Sequence, residues 1–549
     1  MTSDPDPAAA PDPLHETAPT TAAWTTVNIS EAFPGVPTAL SWTFFADALE
    51  YCFRAAFADL GMLSRAERAS ARCLDERCGA IFHGHPALNL DRFRAMADRS
   101  PGGSGDAVEE QMFGSIQTAG RPADNSRRRW PLIALKTPLA MATLPRGLRT
   151  VSAEADRWWR ECSASPPADA DTARARFGEA IERMKEAFRL QLVATMLAQG
   201  LFDQLGRLSR AAGDPALRER LATGYSSLAE IDVLTDLWEV SHERLPMSDF
   251  ILRHGYHGPG EGELSSSSWR EDTGELTALV EEFRRHDVNH SPRAAIGRRI
   301  AARADAEREL LAATPGWRRP ATRLVLRLAR TFIPARETGK AAFLRIVDVA
   351  RASARDLGRD AVARGVTPHP DDVFHLTATE LLGPDRDQPW NLVPARQAQR
   401  ARHRTVHLPD VWVGEPTVRA SGPGGIDELV VTGLAVSPGV VEGTARVIVD
   451  PDRRDSLNDG EILVCHTTDP SWTPLFFLSA GIAIDVGGQL SHGAIVAREL
   501  GIPCIINTRN GTTAIHDGDT VRLDGTTGTV QVISRASDPA VGVARPRRG

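Results

Sequence analysis

Residues 415–425 divide this chain into two kinds of sequence. The stretch from Glu415-Pro416 to Gly425 holds Ser421-Gly422-Pro423-Gly424-Gly425. Glycine is entropically costly to order and proline lacks a backbone donor, so this segment suits neither helix nor strand. It predicts a flexible linker at residues 411–427. Upstream, residues 21–410 read mostly as helix. Phe177, Ile181, Met184, Phe188, Leu192 and Met196 recur at steps of three or four and put a stripe on one helical face. That pattern predicts a core-facing bundle helix rather than a ligand box. Downstream, residues 428–534 change to short apolar strands separated by turns: Leu429-Val431, Ala445-Val449, Ile462-Val464 and Ile482-Ile484. Helical signals intervene near Trp472–Leu478 and Gly493–Leu500, which predicts an α/β domain. Residues 1–20 are rich in proline, alanine and acid and predict a disordered tail. Residues 535–549, ending in ARPRRG, predict a loose C-terminal tail.

Composition narrows the function classes. The 549 residues carry a formal net charge of −7, which excludes a globally basic nucleic-acid binder. No apolar run approaches the ~18 residues that cross a bilayer. The N-terminus has no basic or apolar region of a secretory signal. Six scattered cysteines fit a reducing cytoplasm better than a disulfide framework. The expectation is a cytoplasmic protein with no nucleic-acid or membrane partner.

Chemistry concentrates between Gly487 and Pro503. An apolar strand runs into Gly487-Gly488-Gln489, then Ser491 offers an N-cap and His492 stands at the start of a helix. The helix packs Ala494, Ile495 and Ala497 and ends at Gly501. One imidazole is thereby held at the positive end of a helix dipole, beside backbone N–H groups without helical partners. A negative group on that imidazole would be stabilised there, so His492 is a candidate nucleophile that accepts and passes on a phosphoryl group. Gly487, Gly488, Gln489, Ser491 and Gly493 are the expected phosphate-binding residues. By spacing alone, a tight polar-capped connection explains the segment equally well.

The motif GGQLSHGAIVARELGIPC resembles the phosphohistidine signature of the phosphoenolpyruvate-utilising enzymes. Gly433-Leu434-Ala435-Val436-Ser437-Pro438-Gly439 with Gly443 resembles that domain's opening. Thr467-Thr468-Asp469-Pro470-Ser471-Trp472-Thr473-Pro474 is similar to its turn, and Asp517-Gly518-Asp519, Val521 and Asp524-Gly525 to its closing hairpin. The resemblance implies that His492 is phosphorylated on a swivelling β/β/α domain. The upstream region resembles the antibiotic-binding domain of rifampin phosphotransferases. The matching segments are Asn28-Ile29-Ser30-Glu31, Phe33-Pro34-Gly35, Leu88-Asn89-Leu90, Ser100-Pro101-Gly102, the loop His254-Gly255-Tyr256-His257-Gly258-Pro259-Gly260-Glu261, then Arg336-Glu337 with Lys340, and Pro370–Phe374. The expected fold is therefore multidomain: a large, mostly α-helical substrate domain followed by the phosphohistidine domain.

Those phosphotransferases begin with an ATP-grasp domain, and the substrate-domain motifs here start near residue 24. The expectation is a phosphate acceptor and carrier loaded by a separate ATP-grasp protein. ATP and Mg²⁺ would enter only through that partner, with no intrinsic cofactor and no metal site. Arg336 and Lys340 lie four apart; by spacing alone Glu337 pairing Arg336 on a solvated face is the simpler reading. The resemblance implies that the two cations hold the travelling phosphoryl group. His257 or Glu261 is the candidate general base for a substrate hydroxyl. The family usually has His-Arg where this chain has Tyr256-His257, and Pro37-Thr38-Ala39-Leu40-Ser41-Trp42 departs from its usual entrance sequence. The leading reading is phosphoryl transfer to a hydroxyl of a small, natural-product-like molecule, with net dehydration as a variant outcome. Two alternatives stand beside it: a nucleotide-independent acid/base enzyme (dehydratase or isomerase) on the recruited scaffold, and a non-catalytic ligand-binding protein.

Overall fold

Four long helices account for the first part of the chain, and each has a local reason to start where it does. The computed structural model describes residues 11–536 apart from 34, 70, 114, 119, 122–123, 125, 215, 226–228, 286–290, 385–386, 421–428, 450–456, 459, 469–471 and 490. Helix α1 (Ala39–Asp59) opens at Thr38, whose side chain accepts the Ser41 amide. Helix α2 (Trp130–Ala164) has proline in its first turn, where no donor is needed. Helix α3 (Ala170–Ala211) is capped by Asp169. Helix α4 (Arg319–Ala363) runs for 45 residues, again with proline in its first turn.

Packing follows the stripe. Phe177, Ala180, Met184 and Ala187 of α3 are fully buried in the main core with Ala341, Ala342 and Val347 of α4. The helices pass close to each other at Gly339. A Cβ there would sit 2.7 Å from the Cβ of Gln191 and 2.9 Å from its Cα. Only glycine allows that crossing, which places the next turn of α4 beside α3.

The helical region also holds a four-stranded antiparallel sheet, in the order Gly79–Phe82, His85–Asn89, Ala23–Thr25, Val411–Val413. The sequence signal for it is weak because two of its strands are three residues long. Trp24, Phe82 and Trp412 make edge-on ring contacts that bury it. Val411–Val413 thus belongs to this sheet, although residues 411–427 read as a linker. The remainder of that expected linker from 421 lies outside the described residues. The expected N-terminal tail differs too. Leu14 is buried beside Val36, Trp42 and Ile81, and Asp12 accepts from His403 at 2.8 Å. One apolar side chain with a carboxylate partner suffices to hold this segment down. Residues 1–10 and 537–549 of the expected tails lie outside the described residues.

The C-terminal domain is built on an eight-stranded sheet. Its centre is parallel: Val440–Ile448, Ile462–Cys465, Gly481–Ile484 and Cys504–Ile506. Leu434–Ser437 closes one edge antiparallel; Thr520–Asp524, Thr529–Ser534 and Val430–Thr432 complete the other side. Parallel neighbours require crossovers. Helix Thr473–Leu478 provides one and helix α5 (His492–Leu500) the next. A large helical region followed by a sheet domain is thus the observed architecture. The two share a core: Leu237, Trp238 and Phe283 of the helical region pack with Phe476, Ile484 and Ala494.

Replacing Gly339 by alanine is expected to lower unfolding stability by roughly 1–3 kcal/mol, because the new methyl meets backbone rather than a movable side-chain end. Chemical denaturation of the wild-type and Gly339→Ala chains measures it.

Candidate active site

The site begins at the C-terminal edge of the parallel strands, where crossovers leave an open crevice. Gly481–Ile484 exits through Asp485 to Gly487-Gly488, and Ser491 caps α5 by accepting the Ala494 amide at 3.2 Å. Asp485 is buried and accepts from the Thr508 hydroxyl and the Gly511 amide, both at 2.6 Å. Burial alone would raise its carboxyl; contacts with His466, Thr508 and Thr512 outweigh this and lower it. Arg498, also buried, donates to the Gln489 carbonyl at 2.6 Å and the Val436 carbonyl at 2.7 Å, tying the glycine loop to its own helix. Desolvation brings Arg498 down to about 10, still charged at neutral pH. At the start of α5, the His492 ring is 6% exposed, with Nε2 3.1 Å from Thr473 Oγ1.

His492 faces a cavity of about 470 Å³ shared by α1, α3, α4 and the C-terminal domain. Phe45 and Phe53 of α1, Phe188 and Phe202 of α3, and Phe343 of α4 give it an aromatic wall. Its polar lining includes Arg336 and Lys340 from α4, Glu261 from the loop after Met247–His254, and Gly488, Gln489, Ser491 and His492, alongside neutral groups such as Asn28, Gln191, Thr195 and Gln199. Arg336 does pair with Glu337, at 3.1 Å, yet it also lines the cavity with Lys340. The stripe packs on the main core as expected, with Phe177, Met184 and Leu192 buried in it, and its Phe188 and Leu192 line the cavity as well.

Two groups of expected site residues lie elsewhere. Gly487 and Gly493 do not line the cavity. Gly493 is needed for packing, since a Cβ would come within 2.6 Å of the Ile484 side chain. His257 stands behind Glu261, with Nδ1 2.5 Å from Oε1. Both side chains are buried, and neither His257 Nε2 nor Glu261 Oε2 has a hydrogen-bond partner among the described residues. A buried carboxylate oxygen left unpaired is costly, so the cavity wall presents a ready proton acceptor.

The loop carrying Glu261 is held from α4. Arg351 donates to the Glu263 carbonyl at 3.1 Å, and Arg355 to the Ser265 and Ser266 carbonyls at 2.8 Å. Asp348 of α4 accepts from Trp159 Nε1 at 2.7 Å and from Arg270 at 3.0 Å. Glu263 bonds the Thr38 hydroxyl at 2.7 Å and the Ser41 hydroxyl at 2.6 Å. Burial opposes its ionisation, but the Arg400 charge and these donors outweigh burial and lower it. Thr38 and Ser41 therefore lock the loop to α1 and are not part of the cavity wall. His254 bonds Asp236 at 2.9 Å; burial dominates that contact and brings the imidazole down to about 4. Among the described residues no group of three or more His, Cys, Asp or Glu side chains is arranged to hold a metal ion. No helix among them is long and apolar enough to cross a membrane.

Residues 457–528 match the family described as PEP-utilising enzyme, mobile domain. Residues 194–337 match the rifampicin phosphotransferase fourth domain. The two matches together hold His492 and Arg336; Lys340 lies three residues beyond the second. Among curated relatives, a rifampicin phosphotransferase of Streptomyces sviceus is 31% identical over 55% of this chain and 36% of its own length. One of Bacillus subtilis is 29% identical over 53% of this chain and 35% of its own. The prodigiosin synthesizing transferase PigC of Serratia marcescens is 30% identical over 64% of this chain and 40% of its own. The chain thus spans a little over a third of the length of these relatives.

Sequence reasoning missed Glu499, on α5. Its carboxylate is 2% exposed, accepts the Gly224 amide at 2.8 Å, and is pushed up to about 7 by burial. The group binds its proton more tightly in the folded chain. Its contribution to stability is therefore full below the unfolded value of about 4.5 and is lost as pH rises to about 7. The shift corresponds to roughly 3 kcal/mol. Glu499→Gln is expected to gain stability relative to wild type across that window, as measured by denaturant unfolding at pH 4.5, 6 and 7.5.

Proposed function

We propose that this protein transfers a phosphoryl group from His492 to a hydroxyl of a small, largely apolar molecule bound in the aromatic cavity. One observation carries the reading: His492, Arg336, Lys340 and Glu261 reach the same cavity from three separate parts of the chain. The substrate oxygen attacks phosphorus as the imidazole N–P bond breaks, and the nitrogen keeps the electron pair. The hydroxyl proton passes to Glu261, oriented by His257. Arg336 and Lys340 neutralise charge on the transferring phosphoryl oxygens, and the α5 dipole favours the charged imidazole adduct. The aromatic wall excludes water, which would otherwise compete for the phosphoryl group. Loss of the installed phosphate would convert the same site to a net dehydratase.

The phosphoryl donor in this reading is ATP with Mg²⁺, handled by an ATP-grasp protein supplied separately. The C-terminal domain would move between that protein and the cavity on the Gly-rich segment at 421–425. The buried His492 of the present arrangement is then the delivering state. Support for the substrate class comes from the phenylalanine wall and from relatives named for rifampicin and for prodigiosin synthesis.

The chain is to be incubated with phosphate-labelled ATP and an ATP-grasp protein. Acid-labile label on wild type and none on His492→Ala is expected. Equal label on both, or none on either, counts against the reading. Substrate turnover without nucleotide would transfer the site to the nucleotide-independent acid/base reading. Glu261→Gln is expected to leave labelling intact and lower turnover ~10²-fold or more, the loss of a general base. Single-turnover assays with the preloaded chain separate the two steps.

A further inference from the structure

The loop that offers Glu261 to the aromatic cavity has a second face. There it lines another cavity, of about 420 Å³, with the ends of α2 and α3 and the later turns of α4. Ser353 of this wall lies 13 positions beyond Lys340, about 20 Å along the helix. The two cavities share no lining residue.

The chemistry of this wall is cationic and rich in donors. Arg176, Arg270, Arg355 and Arg359 line it, against two carboxylates, Glu271 and Asp356. Arg355 pairs with Glu271 at 2.6 Å, and Arg359 pairs with Asp356. Arg270 reaches the buried Asp348 at 3.0 Å. Arg176 donates to the Ser165 carbonyl at 2.8 Å and has no carboxylate partner among the described residues. Asp371 lies 3.8 Å from Arg355 as well, so among the described residues Arg176 is the guanidinium of this wall left without a carboxylate partner. Ser163 Oγ is buried without a hydrogen-bond partner, and Ser267 and Ser353 add two more hydroxyls to the wall. A donor set of guanidiniums and hydroxyls around one concavity matches a tetrahedral oxyanion, which accepts from several directions at once. The apolar edge, Pro166, Pro167 and Val349, gives room for an organic part.

We propose that this second cavity binds a phosphate-bearing small molecule. The site is independent of the reaction assigned to His492. The test is isothermal titration at low salt on the full chain carrying Arg336→Ala and Lys340→Ala, which removes the cations of the other cavity. Inorganic pyrophosphate and phenyl phosphate are the probes. One equivalent of either is expected to bind, with affinity falling as salt rises. Adding Arg176→Ser and Arg359→Ser is expected to weaken binding at least tenfold. Arg359 is 61% exposed and Arg176 bonds only a carbonyl, so these changes spare the core. Circular dichroism checks this, and Arg359→Glu alone replaces the pair if the double change unfolds the chain. Tighter phenyl phosphate assigns a phosphate ester; tighter pyrophosphate assigns a free phosphate species. No binding of either probe, or affinity unchanged by the substitutions, overturns the proposal.

Discussion

The close crossing of α3 and α4 at Gly339 is the constraint on which the site rests. It brings Arg336 and Lys340, one turn apart on α4, against a wall that α3 supplies through Phe188 and Phe202. Farther along, α4 turns the same rigidity to another use. Its buried Arg351 and partly buried Arg355 grip backbone carbonyls of the Glu261 loop, and its buried Asp348 ties that loop to α2 through Trp159. One helix thus positions two cations and a carboxylate that are 75 or more residues apart in sequence. The grip uses loop backbone carbonyls together with two loop side chains, Arg270 on Asp348 and Glu271 on Arg355.

The C-terminal domain meets this frame with charges taken out of water. Glu499 is buried against the Gly224 amide, and the Arg299 guanidinium lies on Gly501, whose φ of +77° suits glycine. Burying charge is unfavourable unless hydrogen bonds replace hydration. These buried polar contacts fix register at an interface whose core is apolar, with Leu237, Trp238 and Phe283 against Phe476, Ile484 and Ala494. Arg498 works differently: it stays within its own domain on the Gln489 and Val436 carbonyls, so the glycine loop keeps its shape independently of docking.

Local patterns were legible before the structure. Four strands and two helices of the C-terminal domain overlap the apolar runs that predict them, whereas Leu434–Ser437 and Cys504–Ile506 were not among those runs, and Ser491 does cap the helix that His492 begins. The loop His83-Gly84 is a two-residue hairpin turn with both φ values positive, a local feature that glycine at the second position suits. The strand at Val411–Val413 was not legible, because three residues carry no period and its partner Ala23–Thr25 lies nearly 390 residues away. The close approach of the Ile484 side chain to Gly493 was not legible either, because it depends on where the neighbouring strand lies.

By itself, the sequence determined the long helices, the main apolar strands of the C-terminal domain, and the placement of one histidine at a helix start, because caps, periodicity and glycine conformations act within a few residues. Tertiary structure alone decided which residues of the α3 stripe also line the cavity, since Phe188 and Phe177 are alike until their neighbours are in place. It also decided that Glu261, rather than His257, reaches the cavity. A side chain's partners are set by the packing of distant elements, and spacing along the chain carries no record of that distance.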